Sequence, residues 1–473
     1  MFETVSIPVW LLIVIGLLAA WAALDRLFMP SVRWFFRRRI RGAIEDARTR
    51  LHIDLPDFSL TKRQVLIDRL MYDPQVQAAA AEESRQSGAP RDVVMGTVAR
   101  YAREIVPAFN AYFYFRLGYH IARGISRLFY RVRLGSADDE ALRALGPNTT
   151  PVFVINHRSN MDYVLVAFLA AERTALSYAV GEWARIWPLQ SLIKMLGGFF
   201  VRRGSGNPLY RKVLERYVAM ASEGGVPQAV FIEGGLSRDG KLREPKVGLL
   251  DYILRGFDPQ GDRDVAFIPV GINYDRVVED RSLVMSLDPE AKRRSGLYAV
   301  GVVVRFLGRQ AWLTLRGRWY RFGYAVVDFG QPTLLRDWLR RRDIDLAAIG
   351  REARIDHVKV LAADLMEEVS RVIPVLPVAL VAEVFRQAGG PLAESEIRAR
   401  ALALMERLDR GGALTYIPRR DRDYAVTVGL RILRLRHFIE EHEGRLTRTA
   451  ENRPLLDYYA NSIAHLTAEA VPA

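Results

Sequence analysis

Val152-Phe153-Val154-Ile155-Asn156-His157-Arg158-Ser159-Asn160-Met161-Asp162-Tyr163 joins a short, continuously apolar run to a polar turn and a second apolar stretch. Continuous apolar runs of this length fit strands buried on both faces, as in parallel sheets covered by helices. The same texture recurs on either side. Val152–Asn156, Ser177–Val180, Gly198–Arg202, Gln228–Ile232 and Val265–Asn273 read as strands, with Phe322–Phe329 as a later one. Helical stretches separate them. Asn207-Pro208 marks one helix start, an N-cap followed by proline at the first helical position. The expected class is α/β, a mixed, largely parallel sheet covered by helices, with helical N- and C-terminal regions.

Within the quoted stretch, Asp162 follows His157 by five residues. On a straight helix such positions lie about 140° apart and do not meet. A turn from strand into helix brings them together, with His157 in the turn and Asp162 early in the helix. Aspartate then holds the imidazole tautomer and stabilises its protonated form, as in a triad without the serine. The spacing by itself is weak, and a structural histidine satisfies it equally. His52 and Asp57 repeat it with no apolar strand in front. His157 instead sits at a strand end, where open α/β sheets place their sites.

Three further stretches carry chemistry. Gly197-Gly198-Phe199-Phe200-Val201-Arg202-Arg203-Gly204 sets two arginines between glycines at a strand end. The pair suits a phosphate, or is a solvated loop. Phe231-Ile232-Glu233-Gly234-Gly235-Leu236-Ser237-Arg238-Asp239-Gly240-Lys241 ends a strand in an acid, two glycines, a hydroxyl and two bases. Its glycines allow a backbone anion nest, or a plain β-turn. Phe267-Ile268-Pro269-Val270-Gly271-Ile272-Asn273-Tyr274 is apolar, and Pro269 argues for a bend or an edge. There is no Gly-x-Ser-x-Gly elbow, no Gly-x-x-x-x-Gly-Lys-Ser/Thr loop and no His-Glu-x-x-His motif.

The 473 residues are half apolar, which excludes global disorder. With no cysteine there is no disulfide, thiolate metal site or cysteine nucleophile, and seven scattered histidines argue against a catalytic metal. The net charge of +14 is carried almost wholly by arginine, since only seven of the 68 basic residues are lysine. A polyanionic partner follows: nucleic acid, an anionic membrane or a phosphorylated substrate. Biased codon usage accounts for the arginine excess equally well. No recognised nucleic-acid module is present, so no nucleic-acid partner is expected.

Thr4 to Leu24 is uncharged and just long enough to span a hydrocarbon core, and Arg33, Arg37, Arg38, Arg39 and Arg41 follow it. Charge after the apolar run suits an uncleaved anchor rather than a secretory signal, and the positive-inside rule then puts the remainder on the cytoplasmic face of the membrane. An interfacial or buried helix is the alternative. Asn110 to Tyr130 interleaves aromatics with arginines, a pattern for a membrane interface or for a core face with snorkelling arginines. The expected organisation is an anchor over 1–29, a helical, basic, membrane-proximal region over 30–130, an α/β domain over 131–375 and a helical domain over 376–473.

In order and spacing the four blocks resemble the glycerol-3-phosphate acyltransferase family, its bacterial membrane-bound members above all. The blocks are His157-x4-Asp162, Gly198-Phe-Phe-Val-Arg202-Arg203, Glu233-Gly-Gly-Leu-Ser-Arg238 and Phe267-Ile-Pro269. Asp328-Phe-Gly-Gln-Pro332 and Tyr458-Tyr459-Ala-Asn461-Ser-Ile463-Ala-His465 extend the likeness over roughly 110–470. The resemblance implies an acyltransferase-like domain that joins an acyl group from acyl-CoA or acyl-carrier protein to the 1-hydroxyl of glycerol 3-phosphate. The product is lysophosphatidic acid, and this is the first step of phospholipid synthesis. It also implies His157 as general base, Asp162 as its orienter, and Arg202, Arg203 and Arg238 on the substrate phosphate. Glu233 would bond glycerol hydroxyls or fix an arginine. Gly234, Gly235, Ser237 and Pro269 would complete the substrate-binding blocks. No cofactor or metal is implied beyond the acyl donor, and anionic lipids are expected partners. One departure stands out: Leu236 occupies a position where the family usually has arginine. Lys241, Arg243 or Arg158 would have to compensate, or the acceptor differs (dihydroxyacetone phosphate or a lysophospholipid). A catalytically inactive, acyltransferase-like membrane scaffold is the reading from another class.

Overall fold

The computed structural model describes residues 56–469, apart from 112, 137–138, 171–175, 182–188, 203–204, 289–320 and 347. The expected anchor over 1–29, the residues up to 55 and Arg203 lie outside the described residues. Among the described residues no helix is long and apolar enough to cross a membrane.

The strands are β1 (Arg131–Leu134), β2 (Thr149–Ile155), β3 (Ser177–Gly181), β4 (Gly198–Val201), β5 (Gln228–Phe231), β6 (Asp264–Tyr274), β7 (Tyr324–Phe329) and β8 (Thr333–Leu334). They form one eight-stranded sheet in the order β1-β7-β6-β2-β5-β3-β4, with β8 also on β6. Pairing is parallel from β6 through β2, β5 and β3 to β4, and antiparallel where β7 and β8 join β6. The sheet is therefore mixed and largely parallel, as its apolar runs implied.

Side chains alternate across the sheet, and both faces are buried. Val152 and Val154 of β2 face one core layer with Val265 and Phe267 of β6. Phe153 and Ile155 face the other, with Ile268, Val270, Ile272 and Tyr274. Helices Arg91–Ile105, Pro208–Glu223, Gly248–Gly256, Leu335–Arg341 and Arg351–Arg371 cover the first layer. Helices Tyr119–Phe129, Met161–Ala170, Pro377–Ala388, Arg422–Leu435 and Arg453–Asn461 cover the second. Helix Pro208–Glu223 starts as its sequence announces: the Asn207 side chain accepts from the Tyr210 N–H at 2.8 Å. The N-terminal helices are tied to it by Asp73, which caps helix Pro74–Ser87 and takes Arg216 Nε at 2.9 Å.

One expectation is corrected. Pro269 lies inside β6, opposite Val154 of β2, rather than at a bend or edge. On its other side β8 pairs only Ala266 and Phe267, and β7 begins at Val270. Its missing N–H faces that gap, while its carbonyl accepts from Gly330 N at 2.8 Å, so the ladder loses no bond. The C-terminal region is mostly helical, as expected, and also carries three short strands. Leu392–Ala393 (β9), Ile439–His442 (β10) and Arg445–Arg448 (β11) make a small antiparallel sheet. Gly271 has a separate role, because a Cβ there would lie 2.0 Å from the Val372 carbonyl, so glycine admits the chain that follows helix Arg351–Arg371.

Candidate active site at the end of strand β2

Strand β2 stops at Ile155 and helix Met161–Ala170 starts six residues later. The turn between them is bonded at nearly every step. The Asn156 side chain extends the β2–β6 pairing, donating to Ile272 O at 2.9 Å and accepting from Ile272 N at 2.8 Å. His157 N donates to Glu233 Oε1 at 2.8 Å, and His157 O accepts from Ser237 N at 3.0 Å. The imidazole stacks on Phe231 with centroids 4.2 Å apart and meets the Tyr163 edge at 5.4 Å.

Asp162 closes the turn. Its Oδ2 takes His157 Nδ1 at 2.9 Å, Arg158 N at 2.7 Å and Ser159 N at 3.0 Å. Its Oδ1 takes the Tyr274 hydroxyl at 2.5 Å. Burial, then the Asp162 charge, pushes the Tyr274 hydroxyl well above its ordinary pKa, so it stays a protonated donor. His157 is 2% exposed and Asp162 0%. Among the described residues nothing bonds His157 Nε2. The carboxylate holds the ring proton on Nδ1, which leaves the Nε2 lone pair to accept a proton.

The third block packs directly behind the dyad. Glu233 does not reach outward: its two oxygens take His157 N and Arg243 N, the latter at 3.0 Å. Burial raises its pKa, opposed by these bonds and by the Arg158 charge. Gly234 adopts φ +64° in the tight turn after β5. Gly235 follows, buried. Ser237 Oγ donates to Lys241 O at 2.6 Å and braces the turn. Arg238 and Lys241 stand exposed at its edge, beside exposed Arg243. Leu236 is half-buried on the core.

The second block behaves differently. Arg202 forks onto Glu104, with Nε and Nη2 at 2.8 and 2.6 Å, and lies over the rings of Tyr101 and Tyr210. Its guanidinium is committed to a carboxylate of the N-terminal helices. Arg203 is outside the described residues. Arg158 is also committed, being 1% exposed and donating to the carbonyls of Gly240 and Ser462, the latter at 3.0 Å.

Several site residues carry no local sequence signal. Glu279 accepts from Ser159 Oγ at 2.7 Å and from Asn160 N at 3.2 Å, a second carboxylate holding the turn. Burial raises its pKa. Its neighbour Asp280 binds Arg436 and the Tyr459 hydroxyl of the C-terminal helices. Beside Asn160 and Tyr163 a cavity of about 170 Å³ runs between helices Tyr119–Phe129 and Met161–Ala170, walled by Tyr114, Ala167, Tyr178 and Leu196. Ile121 and Ile125, which are 41% and 36% exposed, also line it.

Residues 138–273 match the acyltransferase family model. Residues 312–471 match that of the glycerol-3-phosphate acyltransferase C-terminal region. A glycerol-3-phosphate acyltransferase of Pseudomonas aeruginosa is 28% identical over 423 residues, 86% of this chain and 49% of that one. Another, of Xanthomonas axonopodis pv. citri, is 27% identical over 446 residues, 91% and 47% of the two chains. The chain thus spans about half the length of the curated relatives it matches. Among solved structures, a 1-acyl-sn-glycerophosphate acyltransferase from Thermotoga maritima matches at 17% identity with a TM-score of 0.30, covering 64% of this chain and 97% of that one. Two family models thus match separate stretches of the chain, and relatives named glycerol-3-phosphate acyltransferase resemble it over most of its length.

Proposed function

We propose that this chain transfers a long-chain acyl group from acyl-CoA or acyl-carrier protein to the 1-hydroxyl of glycerol 3-phosphate, giving lysophosphatidic acid. The observation that carries the reading is the buried His157–Asp162 pair with Nε2 unbonded among the described residues. His157 Nε2 takes the hydroxyl proton as the oxygen attacks the thioester carbonyl. The tetrahedral intermediate collapses, the carbon–sulfur bond breaks, and the leaving thiolate takes the proton back from His157. Asp162 stabilises the imidazolium between the two transfers. No cysteine or serine nucleophile is needed, because the thiolate leaves readily. The apolar cavity beside Tyr163 suits the acyl chain, and exposed Arg238, Lys241 and Arg243 suit the phosphate.

The same reading places the protein on an anionic membrane. Helix Tyr119–Phe129 supports this with Ile121 and Ile125 outward and Arg123 and Arg127 on the same short helix. No acidic residue occurs between Glu104 and Asp138. A second reading keeps the chemistry and changes the acceptor to dihydroxyacetone phosphate or a lysophospholipid, because Leu236 replaces the family's usual arginine and packs on the core.

An acceptor-by-donor panel on the purified full-length chain tests both. Glycerol 3-phosphate is expected to be acylated from a long-chain thioester, and His157→Ala to abolish the reaction. Wild-type rates in that variant overturn the mechanism. Preference for another acceptor in direct competition overturns the first reading in favour of the second.

A further inference from the structure

The segment Tyr458 to His465 sits far from the dyad in sequence, and the chemistry above makes no use of it. In space it is bolted to the turn that carries Arg238 and Lys241. Asn461 Nδ2 donates to Asp239 O at 2.9 Å. Gly240, at φ +87°, packs so closely on the helix Arg453–Asn461 that a Cβ there would lie 1.9 Å from Tyr458 O. Arg158, next to His157 in the chain, donates one Nη to Gly240 O and the other to Ser462 O. Ser462 Oγ in turn accepts from Asn273 of β6 at 3.3 Å. Both central carbonyls of the turn therefore point to this joint, while its cations point to solvent. Ser237 Oγ, bonded to Lys241 O, and Asp239 Oδ1, accepting from Lys241 N at 3.0 Å, stiffen the turn itself.

We infer that Asn461 is a positioning residue for the acceptor. With Arg158 it fixes the separation between His157 and the Arg238–Lys241 turn, and so selects an acceptor whose hydroxyl and phosphate are spaced to match. This rests on the reading of that turn as the phosphate site. A rigid joint is favoured by the chemistry of its parts. A guanidinium that is 1% exposed and bonded to two carbonyls from different segments has no freedom to follow a moving loop. A loop held by backbone carbonyls keeps its position whatever its side chains bind. Asn461 touches neither the dyad nor the cavity, so it acts through the turn alone. Its Oδ1 meets Arg386 Nη1 at 3.4 Å, which orients the amide so that Nδ2 faces Asp239.

The test is steady-state kinetics of Asn461→Ala in the full-length chain, with glycerol 3-phosphate and the acyl thioester varied separately, beside Arg238→Ala. Loss of one positioning hydrogen bond is expected to raise the acceptor KM about 3- to 10-fold. The donor KM and kcat should stay within about twofold. Asn461→Asp keeps the volume, removes the donor and should behave alike, which covers the case in which the alanine variant does not fold. If Arg238→Ala raises the acceptor KM and both Asn461 variants leave it unchanged, the inference falls alone. If Arg238→Ala also leaves it unchanged, the phosphate reading falls and the inference with it. A proportionate loss of kcat with both substrates, accompanied by a lower melting temperature, marks Asn461 as merely structural and overturns the proposal.

Discussion

Tyr274 donates its hydroxyl to Oδ1 of Asp162 at 2.5 Å, on the opposite side of the carboxylate from the oxygen that takes His157 Nδ1 at 2.9 Å. Asp162 therefore has all its bonds made before any substrate arrives. Asp162→Asn can keep three of them, with the amide oxygen at the Oδ2 position and the amide nitrogen facing a rotated Tyr274 hydroxyl. What it loses is the charge that stabilises the imidazolium. The expected result is a fall in kcat of roughly 10²–10⁴-fold with a near-native melting temperature. Tyr274→Phe leaves the charge and removes one orienting bond, so kcat should fall by only about 3- to 10-fold. An Asp162→Asn enzyme within a few-fold of wild type would remove the dyad from the mechanism.

Arg202 is held by Glu104 in a bidentate pair whose acid side chain is 6% exposed. Arg202→Ala leaves that carboxylate buried without its partner, at a cost of about 3 kcal/mol. The expected signature is a lower melting temperature with an unchanged acceptor KM. The double variant Glu104→Gln, Arg202→Met should recover most of the stability. Arg238, exposed at the edge of the third block, should behave in the opposite way, raising the acceptor KM with stability intact. A large acceptor KM effect from the rescued double variant would return Arg202 to the substrate.

The cavity beside the dyad is bounded by Ala167 on helix Met161–Ala170. Ala167→Phe places a ring in a space of about 170 Å³. If that space takes the acyl chain, the variant should prefer shorter thioesters. A competition among donors of graded length measures this directly, and an unaltered chain-length profile would show that the acyl group lies elsewhere.

How much of this was legible follows from where each contact is made. Strands β2, β5 and β6 are buried on both faces, so each shows as an uninterrupted apolar run. Asn207-Pro208 and the bonds from Asp162 back to His157, Arg158 and Ser159 are local, built from neighbours in the chain. The remaining contacts join residues that no short window contains. Arg202 and Glu104 are 98 positions apart, Ser159 and Glu279 120, and Arg158 and Ser462 304. The tolerance of Pro269 inside β6 depends on a gap between β8 and β7, a property of the neighbouring strands that its own segment does not encode. The antiparallel strands β9 to β11 are only two to four residues long, and β10 is exposed along most of its length, so they leave little apolar pattern.

His465 supplies a pH dependence of stability whose sign can be worked out. Its Nε2–H donates to Ser370 O at 3.1 Å. Burial, then the charge of Arg158, pushes its pKa from the ordinary 6.5 down to about 4. Between those values the unfolded chain binds a proton that the folded protein does not. Stability from this group is therefore complete above about pH 6.5 and is lost as pH falls towards 4. Asp275 works in the opposite sense over much of the same range. Burial raises it to about 7, so its contribution falls as pH rises from about 4 to 7. The two slopes mask each other in the wild type, and a variant is needed to separate them. His465→Gln keeps an amide N–H for Ser370 and cannot be protonated. Chemical denaturation of both proteins at pH 7.5 and pH 5.0 should show the wild type losing about 2 kcal/mol relative to the variant at the lower pH. A difference that does not change with pH would mean that His465 titrates normally in the folded protein, and that the charge on Arg158 is not felt at the C-terminal helix.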